Sequence, residues 1–371
     1  MYSQNDLDEA VASGAMSTES ATALRTFVER QRALPLVDEE HFRLITGFND
    51  IFVSIAAAIL LFAVGWIGQS IGEALGFVID GTGPSPLAPL AIAIVAWGLA
   101  LFFTAKRRMA LPSILLLLAF VGGLTVAAGF ALVAVIGDPP KGQTEILAGG
   151  SIFLAGIVGA VGAWVHWRKF KVPITIAAGA AGAAATVVGI VIAIIGEVDG
   201  ARNLLLATVL LLGIGMFLFA MRWDSSDPAR VTRRSDVAFW IHLLAAPMIV
   251  HPIFSLLGLN DGNATIIEGL IVVALYLALG VTALAIDRRA LLVSALAYVL
   301  FALQALFRQF GAVELNVALT ALVIGSALLL LSAFWHQARR MVVQPLPEGL
   351  RAKLPHLDRA LLEKVSPAPA A

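Results

Sequence analysis

The sequence predicts an all-α, polytopic transmembrane helix bundle of about ten spans, and three observations carry that prediction. Hydrophobic residues make up 59% of the 371 residues and charged ones 13%, whereas soluble domains carry about 25% charge. Apolar runs of about twenty residues, the length a helix needs to cross ~30 Å of hydrocarbon, recur along most of the chain. The short connections between them alternate between basic and acid-leaning.

The runs fall near 51–72, 87–105, 110–136, 146–165, 172–196, 203–221, 236–257, 265–286, 290–309 and 314–335. Alternate connections hold Lys106, Arg107 and Arg108; Arg168, Lys169 and Lys171; Arg222, Arg230, Arg233 and Arg234; and Arg288 and Arg289. The others hold only Lys141, Arg202 and Arg308, against acids such as Glu73, Asp138, Asp199 and Asp261. Cytoplasmic loops retain Lys and Arg, so the basic side is expected inside. An even number of spans returns the chain to its starting side. Arg25, Arg30, Arg32, Arg43, Arg339 and Arg340 make that side cytoplasmic for both termini.

Three segments follow from this layout: a cytosolic helical hairpin over 1–49, a transmembrane domain over 50–336 and a cytosolic tail over 337–371. In the hairpin, Leu7, Ala10 and Val11 line one short helix and Leu24, Phe27 and Val28 the next. Gly14 separates them, and Ser17 or Thr18 caps the second. In the tail, Pro355 opens an amphipathic helix whose Leu357, Leu361, Leu362 and Val365 share one side. Met1 to Asp8 has no basic region followed by an apolar one, so no cleaved secretory signal is expected. The absence of cysteine excludes disulfides and thiolate ligands.

Small residues crowd the spans, as in Gly68-x-x-x-Gly72-x-x-x-Gly76, Gly156-x-x-Gly159-x-x-Gly162 and Ala177 to Ala185. In lipid such residues let helix backbones approach closely, which predicts tight helix packing. A basic turn followed by proline recurs at Lys106-Arg107-Arg108 with Pro112 and at Arg168-Lys169 with Pro173. A repeat of two spans implies stacked helical hairpins.

Ionisable groups inside spans are expensive and are therefore candidate sites. The seventh run is the richest, with His242, Pro247, His251 and Pro252. Each proline frees a carbonyl four residues earlier, at Leu243 and Met248, which predicts a broken helix beside a cavity. Imidazole titrates near neutral pH, so His251 and His242 are candidate proton carriers. Nine residues at about 100° each place the two histidines on opposite sides of a straight helix. Pro247, His251 and Ser255 share one face, and Gln304 in the ninth run joins the candidate pathway. Structural hydrogen bonding between helices is the competing account of all these residues.

No His-Glu-x-x-His pair, Gly-x-Ser-x-Gly elbow or pair of intramembrane aspartates is present. Neither enzymatic activity, a metal nor a cofactor is expected, and no local basic surface recommends nucleic acid as a partner. The expected partners are the lipid bilayer and a small-molecule or proton ligand; the sequence names no protein partner.

The short amino-terminal hairpin from Leu7 to Leu24, the many Ala, Gly and Leu-rich spans and the Leu346 to Pro355 segment resemble the bacterial domain-of-unknown-function families numbered 2157 and 4401. That resemblance implies a bacterial inner-membrane location and carries no activity, ligand or catalytic residue. Ten spans with both ends inside are also similar to the drug and metabolite exporter superfamily, although the extended start and the two-span period depart from it. The functional expectation is an integral inner-membrane protein with small-molecule or proton-coupled transport. The alternative is a non-transporting scaffold or regulator that acts through its cytosolic hairpin and tail.

Overall fold

The computed structural model describes residues 48–258 except 141, 197, 229 and 231, residues 266–289 and 316–355, and parts of 11–24 and 292–300, together with 357. The chain divides into one unit of residues 44–357 and a second comprising 1–43 and 358–371. In the second unit, residues 18–24 are helical. Ser17 Oγ accepts from the Ser20 N–H at 3.1 Å as the cap, and Gly14 takes a left-handed φ of 73° in the preceding turn. Most of the expected hairpin, most of the ninth run including Gln304, and the tail helix beyond Leu357 lie outside the described residues.

Among the described residues the large unit is built of helices and their connections, with no strand. Its helices are α1 (Phe48–Ala74), α2 (Leu87–Phe103), α3 (Ala110–Ile136), α4 (Thr144–Phe170), α5 (Ile174–Ile195), α6 (Ala201–Ser225), α7 (Arg233–Leu256), α8 (Ile266–Ile286), α9 (Asn316–Ala333), α10 (Trp335–Val343) and α11 (Glu348–Arg351). The first eight predicted runs and the tenth each coincide with one of these helices. Six of them, α1 and α3 to α7, are long and apolar enough to cross a membrane. A bend of 75° separates α9 from α10, and the two count as a seventh span if taken together; α2 and residues 270–286 of α8 are shorter apolar helices. This is the make-up of an integral membrane protein.

Packing follows chain order from α1 to α7, with α5 also touching α7, and α8 packs on α10. The closest contact is the antiparallel α4–α5 pair. A Cβ placed on Gly156 would lie 2.5 Å from Thr186 N and 2.7 Å from the Gly182 carbonyl oxygen. One on Gly189 would lie 2.4 Å from Phe153 N and 2.6 Å from the Gly149 carbonyl oxygen. Gly149 with Gly189 and Gly156 with Gly182 thus form two facing pairs seven residues apart, where backbone rests on backbone. Lipid offers helices no hydrophobic drive to associate, so this close van der Waals contact is what holds them. Gly68 packs in the same manner against Leu87 and Ala88.

Several hydroxyls inside the helices are satisfied locally: Thr125, Thr186 and Thr282 each donate to the carbonyl four residues back, at 2.8 to 2.9 Å. Gln69 fastens the connection after α1, accepting from Ser85 N at 2.7 Å and donating to the Gly83 carbonyl at 3.1 Å.

The seventh run departs from expectation. α7 is one continuous helix of 24 residues that contains both Pro247 and Pro252, so it is not broken. Half of its apolar window is buried, against 11 to 28% for the other five long spans, which makes it the most enclosed of them. Packing on several sides holds the helical path although each proline removes one hydrogen bond.

Left-handed non-glycine residues occur in every basic connection, and also at Asp80 in the acid-leaning connection after α1. In the basic connections they are Arg108, Lys171, Arg230 and Asp287. On the other side the positive φ after α3 and α5 falls on Gly137 and Gly196, which adopt it without a Cβ penalty. A side chain that accepts this conformation at about 1–2 kcal/mol calls for local compensation, and at Arg230 and Asp287 that compensation is visible below.

Replacing Gly182 with Val is expected to lower the thermal unfolding temperature of the detergent-purified protein, because overpacking costs about 1–3 kcal/mol. Gly215→Ala, where an added Cβ meets nothing within 4 Å, is expected to be neutral or stabilising. Equal melting behaviour of the two variants would contradict the backbone contact.

Candidate functional site: a buried charge cluster at the basic end

Asp224 sits in the last turn of α6 and is 1% exposed. A carboxylate at a helix C-terminus faces the negative end of the backbone dipole, and away from water it needs cations and donors. The structure supplies both. Arg288, in the turn after α8, donates from Nη2 to Asp224 Oδ1 at 2.5 Å and from Nε to Oδ2 at 3.3 Å. This two-point contact is the strong form of a guanidinium–carboxylate pair. His242 of α7 places Nε2 3.0 Å from Asp224 Oδ2. Arg288 Nη2 also donates to the Ser235 carbonyl at 3.0 Å, so one side chain ties together α6, α7 and the turn after α8.

A second carboxylate lies beside it in sequence. Asp287 Oδ2 accepts from Arg230 Nη1 at 2.9 Å, and Asp287 Oδ1 accepts from Trp335 Nε1 at 2.8 Å. Arg230 Nη2 bonds the carbonyls of Ile286 and Asp287 at 2.9 and 3.0 Å. The left-handed residues of two basic turns therefore hold each other. Arg339 Nε lies 3.7 Å from Asp287 Oδ1, and its Nη2 donates to the Pro355 carbonyl at 2.6 Å.

Arg339 and Trp335 recur four residues apart with Val343 on the buried face of α10. That face packs on Ala283, Leu284 and Ile286 of α8. Asp227 closes the remaining turn, with Oδ2 accepting from Thr232 N and Oγ1 at 2.9 and 2.7 Å. Asp224 and Asp287 thus face Arg230, Arg288 and Arg339 in a volume with almost no exposure to solvent.

The sequence-derived candidates separate. His242 belongs to this cluster and is 1% exposed. His251 and Pro247 lie on an exposed face of α7, while Pro252 and Ser255 are buried. The two histidines do face opposite ways, as their spacing requires. Gln304 is outside the described residues. Among the described residues, no group of three or more His, Asp or Glu is placed to hold a metal ion.

Apart from His242, the sequence marks these residues as topology signals rather than as a site. Arg230 and Arg288 stand in connections where topology alone accounts for a cation, and Trp335, at the end of the tenth run, is 4% exposed and hydrogen-bonded. The missed signal is acids on the basic side, Asp224, Asp227 and Asp287, each within a few residues of a span end.

A separate buried histidine was also missed. His166 of α4 is fully buried, its Nδ1 is 3.2 Å from Thr175 Oγ1, and its ring lies among Trp97, Phe120 and Phe170. It joins α4 to the start of α5 within an aromatic box.

Replacing Trp335 with Phe removes one donor from the buried Asp287 carboxylate, and hydrogen bonds to charged groups contribute about 1.5–3 kcal/mol. Thermal unfolding is expected to show that loss. Trp66→Phe, at a ring 69% exposed, is expected within about 0.5 kcal/mol of the parent. Indistinguishable effects would remove Trp335 from the cluster.

No family model, curated protein or solved structure matches this chain.

Proposed function

We propose that the chain is a ten-span inner-membrane protein with both termini in the cytoplasm, and that its activity is small-molecule or proton-coupled transport. In this reading the Asp224–His242–Arg288 cluster is the proton-responsive element on the cytoplasmic side. One observation carries it: a carboxylate, an imidazole and a guanidinium share one buried contact at the meeting of three elements. Ionisable groups inside a helix bundle are functional candidates by default because they are costly to keep there. Proton exchange on His242 changes the charge balance on Asp224, and that carboxylate holds α6, α7 and the turn after α8 together. Of the two histidines in α7, His242 rather than His251 therefore takes the titrating role.

The orientation draws support from the sorting of Lys and Arg, from Trp and Arg pairing at the basic end such as Arg168 over Trp164 at 4.9 Å, and from the positive-inside rule. The resemblance to the families numbered 2157 and 4401 is consistent with a bacterial inner membrane and adds no activity.

A second reading, a non-transporting scaffold or regulator, draws on the α4–α5 contact, where glycine backbones meet directly and leave no room for a pathway between those two helices. The two readings divide in reconstituted vesicles that enclose a pH dye, with the potential clamped. Transport predicts protein-dependent proton movement, lost in His242→Gln and Asp224→Asn and retained in His251→Ala, with monodisperse elution confirming folded variants. Proton movement no greater than in protein-free vesicles would leave the scaffold reading.

The chain has no cysteine, so single cysteines report sidedness cleanly. One at residue 170 is expected to react with an impermeant reagent only after the cells are opened, and one at residue 199 in intact cells. The reverse pattern would overturn the orientation.

A further inference from the structure

Two neighbouring basic connections carry cations that the bundle leaves without a carboxylate. Lys106, Arg107 and Arg108 follow α2, while Arg168, Lys169 and Lys171 close α4, and all six are exposed. No Asp or Glu lies between Asp80 and Asp138 or between Glu145 and Glu197, and Asp50, the acid that α1 brings to this end, is buried. Among the described residues none of the six forms an ion pair or a hydrogen bond with an acid. Arg230, Arg288 and Arg339 differ, being taken up by Asp224 and Asp287. The two connections lie side by side: Phe103 and Phe170, just ahead of them, pack on one core cluster that includes Ala96, Ala100 and Leu116. Trp97 meets Phe170 there at 5.1 Å between ring centroids.

Aromatic rings fix where these charges stand. Arg107 lies over Phe102 at 5.6 Å, Arg168 over Trp164 at 4.9 Å and Lys171 over Trp167 at 5.2 Å. Phe102 and Trp164 are 43 and 57% exposed on apolar helix faces, with exposed Leu101 beside the first and Val161 and Val165 beside the second. Stacking engages the flat face of a guanidinium and leaves its N–H donors in the plane, in a fork that matches phosphate oxygens. The cations are thus held at the border where the apolar flank gives way to the connections.

We propose that these two connections form a binding surface for anionic phospholipids of the leaflet at the basic end, with phosphates on Arg107 and Arg168 and acyl chains against the faces that carry Phe102 and Trp164. Charge and position together select the occupant. A cluster of cations beside a span, without acids of its own, is what an anionic leaflet attracts. Seating the cations on rings at the apolar border suits an amphiphile: a dissolved anion gains nothing from Phe102 and Trp164, and an uncharged lipid gains nothing from the cations. At the later connections Arg230 and Arg288 are occupied by acids, and Asp236 lies near enough to Arg233 for their charges to interact, so the preference belongs to the α2–α5 end. Naming the cytoplasmic leaflet rests on the proposed orientation; the binding chemistry does not.

The test uses full-length protein purified in mild detergent, incubated with equal amounts of phosphatidylglycerol and phosphatidylcholine and weighed intact by native mass spectrometry. Phosphatidylglycerol is expected to be retained over phosphatidylcholine, and Arg168→Gln to lower that preference about fivefold. Trp164→Ala, which keeps every charge and removes the ring beneath Arg168, is expected to lower it as well. Arg233→Gln, an equal loss of charge at the other end, is expected to leave it unchanged. All three side chains are exposed, and unchanged melting temperatures confirm folded variants. Equal retention of the two lipids, an equal loss in Arg233→Gln and Arg168→Gln, or a preference unchanged in either Arg168→Gln or Trp164→Ala overturns the proposal. Displacement of phosphatidylglycerol by inorganic phosphate would mark a site for dissolved anions and overturns it too. Detergent samples have no sidedness, so a wrong orientation would show in cysteine labelling and leave this result standing.

Discussion

The two-point contact between Asp224 and Arg288 is the interaction on which the second half of the bundle depends. A charge withdrawn from water carries a penalty of several kcal/mol, and neither side chain has solvent to return to. Each is tolerable only because the other is there, with His242 on the carboxylate and the Ser235 carbonyl on the guanidinium. The same logic extends through the neighbouring Asp287 to Arg230, Trp335 and Arg339, so α6, α7, α8 and α10 are joined by polar contacts at one end. Towards their middles the joining is apolar, through Val250 and Phe254 of α7 with Val272 of α8 and Ile324 of α9.

The first half is held by different physics. α4 and α5 meet through glycine backbones, α1 and α2 through Gly68 against Leu87 and Ala88, and hydroxyls such as those of Thr125 and Thr186 are occupied by carbonyls of their own helices. The glycine contacts work through shape, with the His166–Thr175 pair as a polar contact at one end of the α4–α5 interface. A bundle that joins a close-packed frame to a polar, titratable cluster has one part suited to stay fixed and one whose contacts depend on protonation. That division is why the proposed activity is assigned to the α6–α8 end.

Much of the architecture was legible because lipid imposes simple rules. Run length and composition located the helices, and Gly156 and its neighbours announced a tight interface because small residues have few other uses inside an apolar helix. His242 and His251 were placed on opposite faces by arithmetic, and they lie so.

Two features were not legible, for physical reasons. Pro247 and Pro252 argue for a break by local rules, yet α7 is the most enclosed long span and tertiary packing keeps it continuous. The charge cluster was hidden because Arg230 and Arg288 sit where topology already accounts for a cation. Only the three-dimensional meeting of α6, α7 and the turn after α8 shows that Asp224, 64 residues before Arg288, is its partner.

The most direct measurement is a charge exchange at that contact, read as the yield of folded, monodisperse protein and its unfolding temperature in detergent. Asp224→Arg and Arg288→Asp singly place like charges together in a buried site, and each is expected to abolish or sharply reduce the folded fraction. The double exchange restores opposite charges and is expected to recover a substantial part of it. A double variant no better than the worse single, or single variants that fold like the parent, would contradict the account.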